Sequence, residues 1–110
     1  MPIRAILANL SCAQLAISQS WYEHLFGRPP DAAPMEGLLE WHSGEGAGIQ
    51  IIENPLGAGR GTVTLIVSDL ASDLARLGLA TSEEVQEGDT VQFLQLSDPD
   101  GNRVVLAEPR

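Results

Sequence analysis

Asp98-Pro99-Asp100-Gly101-Asn102 separates two apolar runs, Val91 to Leu96 and Val104 to Ala107. Pro99 presets φ for the second position of a type I turn. Asp98 and Asp100 can accept hydrogen bonds from nearby backbone N–H groups, and Gly101 can take a positive φ without a Cβ clash. A type I turn followed by a left-handed glycine is the chemistry of a three-residue hairpin loop with a bulge. The sequence therefore predicts a β-hairpin centred on this stretch.

The hairpin has a counterpart 55 residues earlier. That shift places Gly101 on Gly46, which lies between Leu38–Trp41 and Ile49–Ile52. Val104-Val105-Leu106-Ala107-Glu108 falls on Ile49-Gln50-Ile51-Ile52-Glu53, and Leu65, Val67 and Leu70 fall on Leu10, Cys12 and Leu15. One offset that aligns the beginnings and ends of both halves means one supersecondary unit used twice.

Each half reads in the same order. Ile3 to Cys12 is predicted as a strand, with Ile6, Ala8, Leu10 and Cys12 on one face and Leu7, Asn9 and Ser11 on the other. Gln14 to Phe26 reads as a helix whose stripe is Leu15, Ser18, Tyr22 and Leu25, stopped by Gly27 and Pro29-Pro30. Asp31 to Gly37 is a loop or short edge strand, and Leu38–Ser43 with Gly48–Glu53 forms the first hairpin. Asn54 to Gly61 links the halves. Thr62 to Ser68 is the next strand. A helix follows, capped by Asp69, with Leu70, Leu74 and Leu77 as its stripe and Gly78 at its end. Glu84 to Glu87 is a short strand before the last hairpin. The whole is an α+β chain of two βαβββ modules, about 1–55 and 56–110, in one domain. The mixed faces of two such curved sheets can enclose a pocket.

Composition narrows the function. Fifteen acidic residues stand against six basic ones, all Arg, for a formal net charge of −9. Such a chain repels phosphate backbones, so nucleic acid is not the expected partner. No apolar run approaches a membrane span, and Arg4 and Asn9 interrupt the first apolar run too early for a signal peptide. The expected setting is cytoplasmic and reducing. Cys12 is the single cysteine and reads as a small buried hydrophobe. The glycine-rich stretches Gly44–Gly48 and Gly57–Gly61 lack the phosphate-loop pattern, which needs a Lys that this chain does not have.

Three stretches carry a resemblance to a known family. Ser18-Gln19-Ser20-Trp21-Tyr22-Glu23-His24-Leu25-Phe26-Gly27, Leu65-Ile66-Val67-Ser68-Asp69 and the Asp98–Asn102 turn occur in the order and spacing of the vicinal oxygen chelate superfamily. That superfamily groups glyoxalases, bleomycin resistance proteins and extradiol dioxygenases, and the likeness covers nearly the whole chain. Gln14 stands where the family usually has Asp, which implies a weaker cap on the first helix. The resemblance implies a site in the cup between the two sheets. Metal ligands would come from the first and last strand of each module, at Leu7, Gln50, Thr62 and Val105. Leu and Val cannot ligate, Thr is a poor neutral ligand, and one Gln cannot hold a divalent ion. No metal and no other cofactor is therefore expected.

The expected site is instead a binding cup. If Leu7 and Thr62 face inward, Asn9, Ser11, Gln50, Ile52, Thr64, Arg103 and Val105 share that face by period two. Trp41 is the strand aromatic available for stacking, and Trp21 reads as core. His24 reads as a surface residue, and Glu40 with His42 as an exposed hairpin pair. A mostly apolar lining with a few hydrogen-bonding groups suits a small organic ligand. The expected protein is a metal-free, small-molecule-binding homodimer resembling bleomycin-resistance-type proteins. The alternative is a metal-dependent lyase or dioxygenase with relocated ligands.

Overall fold

The structure is a computed structural model that describes residues 1–79 and 85–110. The first module runs β1 (Ile6–Cys12), α1 (Leu15–Phe26), β2 (Ala32–Met35), β3 (Leu38–Ser43) and β4 (Ala47–Glu53). The second runs β5 (Thr62–Ile66), α2 (Leu70–Leu77), β6 (Gln86–Glu87), β7 (Val91–Ser97) and β8 (Arg103–Pro109). Each module forms a four-stranded mixed sheet, ordered β1-β4-β3-β2 in one and β5-β8-β7-β6 in the other. A single turn of 3-10 helix over Pro55–Gly57 lies between them.

The 55-residue offset holds in the strand pairing. Leu7 pairs Gly48 in the first sheet and Thr62 pairs Arg103 in the second. Leu39 pairs Ile51, and Leu94 pairs Leu106. The offset breaks after the helices. Both begin at equivalent positions, but α1 has 12 residues and α2 has 8. Gly27 and Gly78 end them in the left-handed conformation, at φ 73° and 77°. The shorter α2 leaves a longer connection to β6, which pairs at a register different from that of β2. Of the strand expected over 84–87, Gln86 and Glu87 form β6, and Glu84 lies outside the described residues. β1 is shorter than the sequence suggests. Its ladder with β4 starts at Ile6, whose N–H donates to Gly46 O, and among the described residues no strand pairs with Ile3.

Both helices begin on a carboxylate from the end of their own module's last strand. Glu53 accepts the Leu15 N–H at 2.9 Å, and Glu108 accepts the Leu70 N–H at 2.7 Å. These satisfy N–H groups that a helix start leaves without partners. Gln14 gives no side-chain cap, so in α1 Glu53 serves at the position where the sequence implied weakness. In α2, Asp69 adds the expected cap by accepting the Ser72 N–H.

The apolar faces of both sheets share one core. Leu10, Cys12, Trp41, Ile49 and Ile51 from the first sheet join Leu94, Val104 and Leu106 from the second, with Tyr22, Leu25, Leu70 and Leu74 from the helices. Burying each such Leu or Ile contributes about 1.5–3 kcal/mol. Among the described residues, no helix is long and apolar enough to cross a membrane.

The 98–102 turn locks the modules together. Gly101 has φ 96° and its N–H donates to Asp98 O, while the Asp98 N–H donates to Asn102 O, closing the three-residue loop. Asp98 is 5 % exposed. Its carboxylate accepts from the Tyr22 hydroxyl at 2.7 Å, from Asn102 Nδ2, and from the backbone N–H groups of Asp100 and Asn102. These four donors fill the carboxylate's acceptor sites. Asn102 Nδ2 also donates to Ser11 O, and Asp100 accepts from the Ala13 N–H and the Ser18 hydroxyl. Gly59 passes so close that a Cβ there would lie 2.2 Å from Asp100 O. The second glycine-rich stretch is thus required by packing.

Candidate functional site

Opposite the shared core, each sheet presents a face made from the alternate residues of its strands. Among the described residues, no strand of one sheet pairs with a strand of the other. Leu7, Asn9, Thr62, Thr64 and Arg103 are exposed on these open faces, and Gln50 and Val105 are half-buried there. Trp41 is the exception among the expected site residues. It is 2 % exposed on the core side, packs against Tyr22 and Phe26, and donates from Nε1 to Arg28 O. Strand alternation puts it on the face away from Gln50, so it cannot share a surface with the other seven.

On the first module, cross-strand pairing builds two rows. Leu7, Gly48 and His42 form one; Asn9, Gln50 and Glu40 form the other. The second row is one hydrogen-bonded ladder. Asn9 Nδ2 donates to Gln50 Oε1 at 3.2 Å, and Gln50 Nε2 donates to Glu40 Oε2 at 2.6 Å. Glu40 Oε1 lies 2.9 Å from His42 Nε2, which ties the two rows together. The hydrogen bonds from His42, then Gln50, hold the Glu40 carboxyl below its ordinary range. Glu40 is therefore an ionised acceptor at neutral pH.

The backbone of His42 is pinned from the segment before β2. Its N–H donates to Asp31 Oδ2 at 2.6 Å, and its carbonyl accepts from Arg28, which also pairs with Asp31 at 2.9 Å. The His42 N–H, then Arg28, hold the Asp31 carboxyl low. Alternation along β3 predicts the Glu40–His42 pair but not its extension to Gln50 and Asn9. That extension depends on β4 lying between β1 and β3, which alternation along one strand does not show.

The corresponding rows of the second module are Thr62, Arg103 and Ser97, then Thr64, Val105 and Gln95. They contain one charge, Arg103, and no counterpart of the Glu40–His42 pair.

The residues at the four expected ligand positions do not fit a divalent metal. Gln50 is the one with a usable donor, and its amide is already engaged on both sides by Asn9 and Glu40. Leu7 and Val105 offer no donor, and Thr62 offers a neutral hydroxyl. Among the described residues, no three His, Cys, Asp or Glu side chains cluster as metal ligands. Cys12 is fully buried, and burial pushes its thiol up, away from the nucleophilic thiolate. A separate cleft lies between α1, α2 and β7, lined by Trp21, His24, Leu25, Leu77, Leu79, Leu96 and Ser97. None of the expected site residues borders it.

Neither a protein-family model nor a curated protein sequence matches this chain. Solved structures do. A glyoxalase/bleomycin resistance protein from Catenulispora acidiphila superposes with a TM-score of 0.87 at 26% identity, covering 97% of this chain and 99% of its own. The antibiotic-binding protein TnmS3 from Streptomyces gives 0.76 at 20% identity, over 96% of this chain and 95% of its own. A bleomycin-binding protein solved with bleomycin gives 0.69 at 18% identity, over 96% and 98%. The last two likenesses are of fold.

Proposed function

We propose that this chain, which belongs to the vicinal oxygen chelate superfamily with the glyoxalase and bleomycin resistance proteins, binds a small organic molecule without a metal. The observation that carries this reading is the donor set on the open faces. The first and last strands of the modules present Leu7, Gln50, Thr62 and Val105, which suit van der Waals contact and a few hydrogen bonds better than coordination. Two neighbours are named for binding bleomycin or an antibiotic. By extension, sequestration of an antibiotic-like or other organic ligand is the role proposed here. Leu7, Asn9, Gln50, Thr62, Thr64, Arg103 and Val105 are the proposed contacts.

The proposed unit is a cytoplasmic homodimer, each chain one domain of two modules dividing near residue 55. The folded chain exposes 6910 Å². A compact monomer of its mass exposes about 5,900 Å². The excess, together with Leu7 and Ile66 exposed on the open faces, favours a second copy completing the cup. Two measurements test this reading. Chelator-treated protein should bind organic compounds with unchanged affinity and carry no stoichiometric metal. Near one equivalent of Zn, Ni, Fe or Mn surviving chelator would instead support the metal-dependent lyase or dioxygenase. Sedimentation at micromolar concentration should give twice the 11.7 kDa chain mass, and a monomer mass would contradict the dimer.

A further inference from the structure

The open face of module one holds a histidine more constrained than a hairpin surface residue needs to be. Both backbone hydrogen-bonding groups of His42 are engaged, by Asp31 and Arg28. One ring nitrogen is held by Glu40, whose other oxygen is held by Gln50. Glu40 itself is mostly buried, its side chain 13% exposed, while the His42 side chain is 43% exposed. The pair thus has a fixed inner member and an accessible outer one.

The chemistry of the pair sets the tautomer. An ionised carboxylate only accepts, so the Nε2 facing Glu40 must carry the proton. Neutral His42 then presents Nδ1 as a lone-pair acceptor, and no hydrogen bond occupies Nδ1 among the described residues. The groups around the ring are Glu40 from its own strand, Asp31 and Arg28 from the preceding segment, and neutral Gln50 from β4. Beside the ring, the Leu7 side chain lies over Gly48 and, with the Trp41 carbonyl oxygen, fills the space that a side chain there would need. A Cβ there would sit 3.4 Å from His42 Cδ2 and 2.7 Å from Leu7 Cδ2. The Leu7 side chain therefore supplies an apolar surface at the Cδ2 edge of the ring, and Nδ1 lies on the other edge.

We propose that His42, held by Glu40, accepts a hydrogen bond from an acidic hydroxyl of the ligand. The module-one face would thereby select weakly acidic hydroxyl compounds, such as phenols and enols, over analogues that cannot donate a hydrogen bond. The inference rests on the open faces being the binding surface and names the chemical class that they take. Module two, with Ser97 and Gln95 at the equivalent positions, has no such acceptor.

The test uses full-length protein with 4-cyanophenol and its methyl ether, 4-methoxybenzonitrile, followed by nitrogen-15 NMR of the histidine rings. The phenol should bind about tenfold more tightly than the ether, the worth of one hydrogen bond of about 1.4 kcal/mol. It should shift the His42 Nδ1 resonance and leave His24 unmoved. His42→Ala and Glu40→Gln should each remove that preference, and wild-type-like amide spectra would show that both remain folded. Equal binding of phenol and ether at this face would overturn the inference and leave metal-free binding intact. Failure of both probes to perturb this face would also overturn it, and the metal and ligand measurements above would then decide the broader reading separately.

Discussion

Two hairpin turns stand 55 residues apart in this chain, and their surroundings differ completely. The turn over Asp98–Asn102 is driven into the other module, where it gathers Tyr22, Ser18, Ala13 and the Ser11 carbonyl around its carboxylates and amide. The turn over Ser43–Gly46 is exposed at every residue. The strands they join have the same register, so register does not explain the contrast. The side chains do. Asp, Asp and Asn can satisfy one another and reach orphan groups across a seam, whereas Ser43-Gly44-Glu45-Gly46 offers little to bury. Duplicating a module thus leaves one turn to hold the halves together. It also leaves the two open faces free to diverge, one carrying the His42–Glu40–Gln50–Asn9 ladder and the other a single Arg103.

Breaking the seam should have the largest effect. Asp98→Ala leaves the Tyr22 hydroxyl, the Asn102 amide and two backbone N–H groups without their acceptor. Urea unfolding should show a loss of about 3 kcal/mol or more. The matched change in the exposed turn, Glu45→Ala, should stay within about 0.5 kcal/mol. Comparable losses from both would mean that the 98–102 turn is not the seam.

The open faces can be compared through ligand binding. Arg103 is the charged group on the second face, and Gln50 is a neutral amide on the first whose hydrogen bonds are already taken within the protein. For a ligand that spans both, Arg103→Ala should weaken binding about tenfold and Gln50→Ala about threefold, with the unfolding midpoint unchanged for Arg103→Ala and lowered for Gln50→Ala, which leaves one Glu40 oxygen without its donor. Calorimetric titration of the two variants checks this. A larger loss from Gln50→Ala would put the weight of recognition on module one.

A smaller effect follows from Tyr22. Burial, then its hydrogen bond to Asp98, pushes the phenol well above its ordinary value. A group whose folded pKa is raised contributes stability that is complete below the unfolded pKa, about 10 for Tyr, and is lost as pH rises beyond it. Tyr22 is the single tyrosine. Its ionisation, followed by ultraviolet difference spectroscopy, should coincide with alkaline unfolding. Tyr22→Phe should cost about 1 kcal/mol at neutral pH and flatten the alkaline limb. A normal phenol titration in the folded protein would contradict the buried pair.

The same contrast shows what the sequence could carry. The α+β architecture was legible because strand alternation, the glycine helix stops and the 55-residue offset agree at several levels. The seam was only half legible. Asp98, Asp100 and Gly101 announce a turn, but their second use, binding Tyr22 and the Ala13 N–H, depends on where the other module lies. Trp41 shows the reverse failure. An aromatic on a strand fits either face, and burial beside Tyr22 and Phe26 put it in the core. The Glu53 and Glu108 helix caps were hidden because they come from 38 residues away. The cross-strand ladder was hidden because it needs the strand order.

The central claim, metal-free binding on the open faces, is tested most directly by amide chemical-shift mapping of chelator-treated protein against a library of small aromatic compounds. Bound compounds should shift Asn9, Gln50, Thr64 and Val105, with no change when zinc or nickel is added. Binding that appears only with added metal, or shifts confined to the cleft around Trp21, Leu77 and Leu96, would contradict the account.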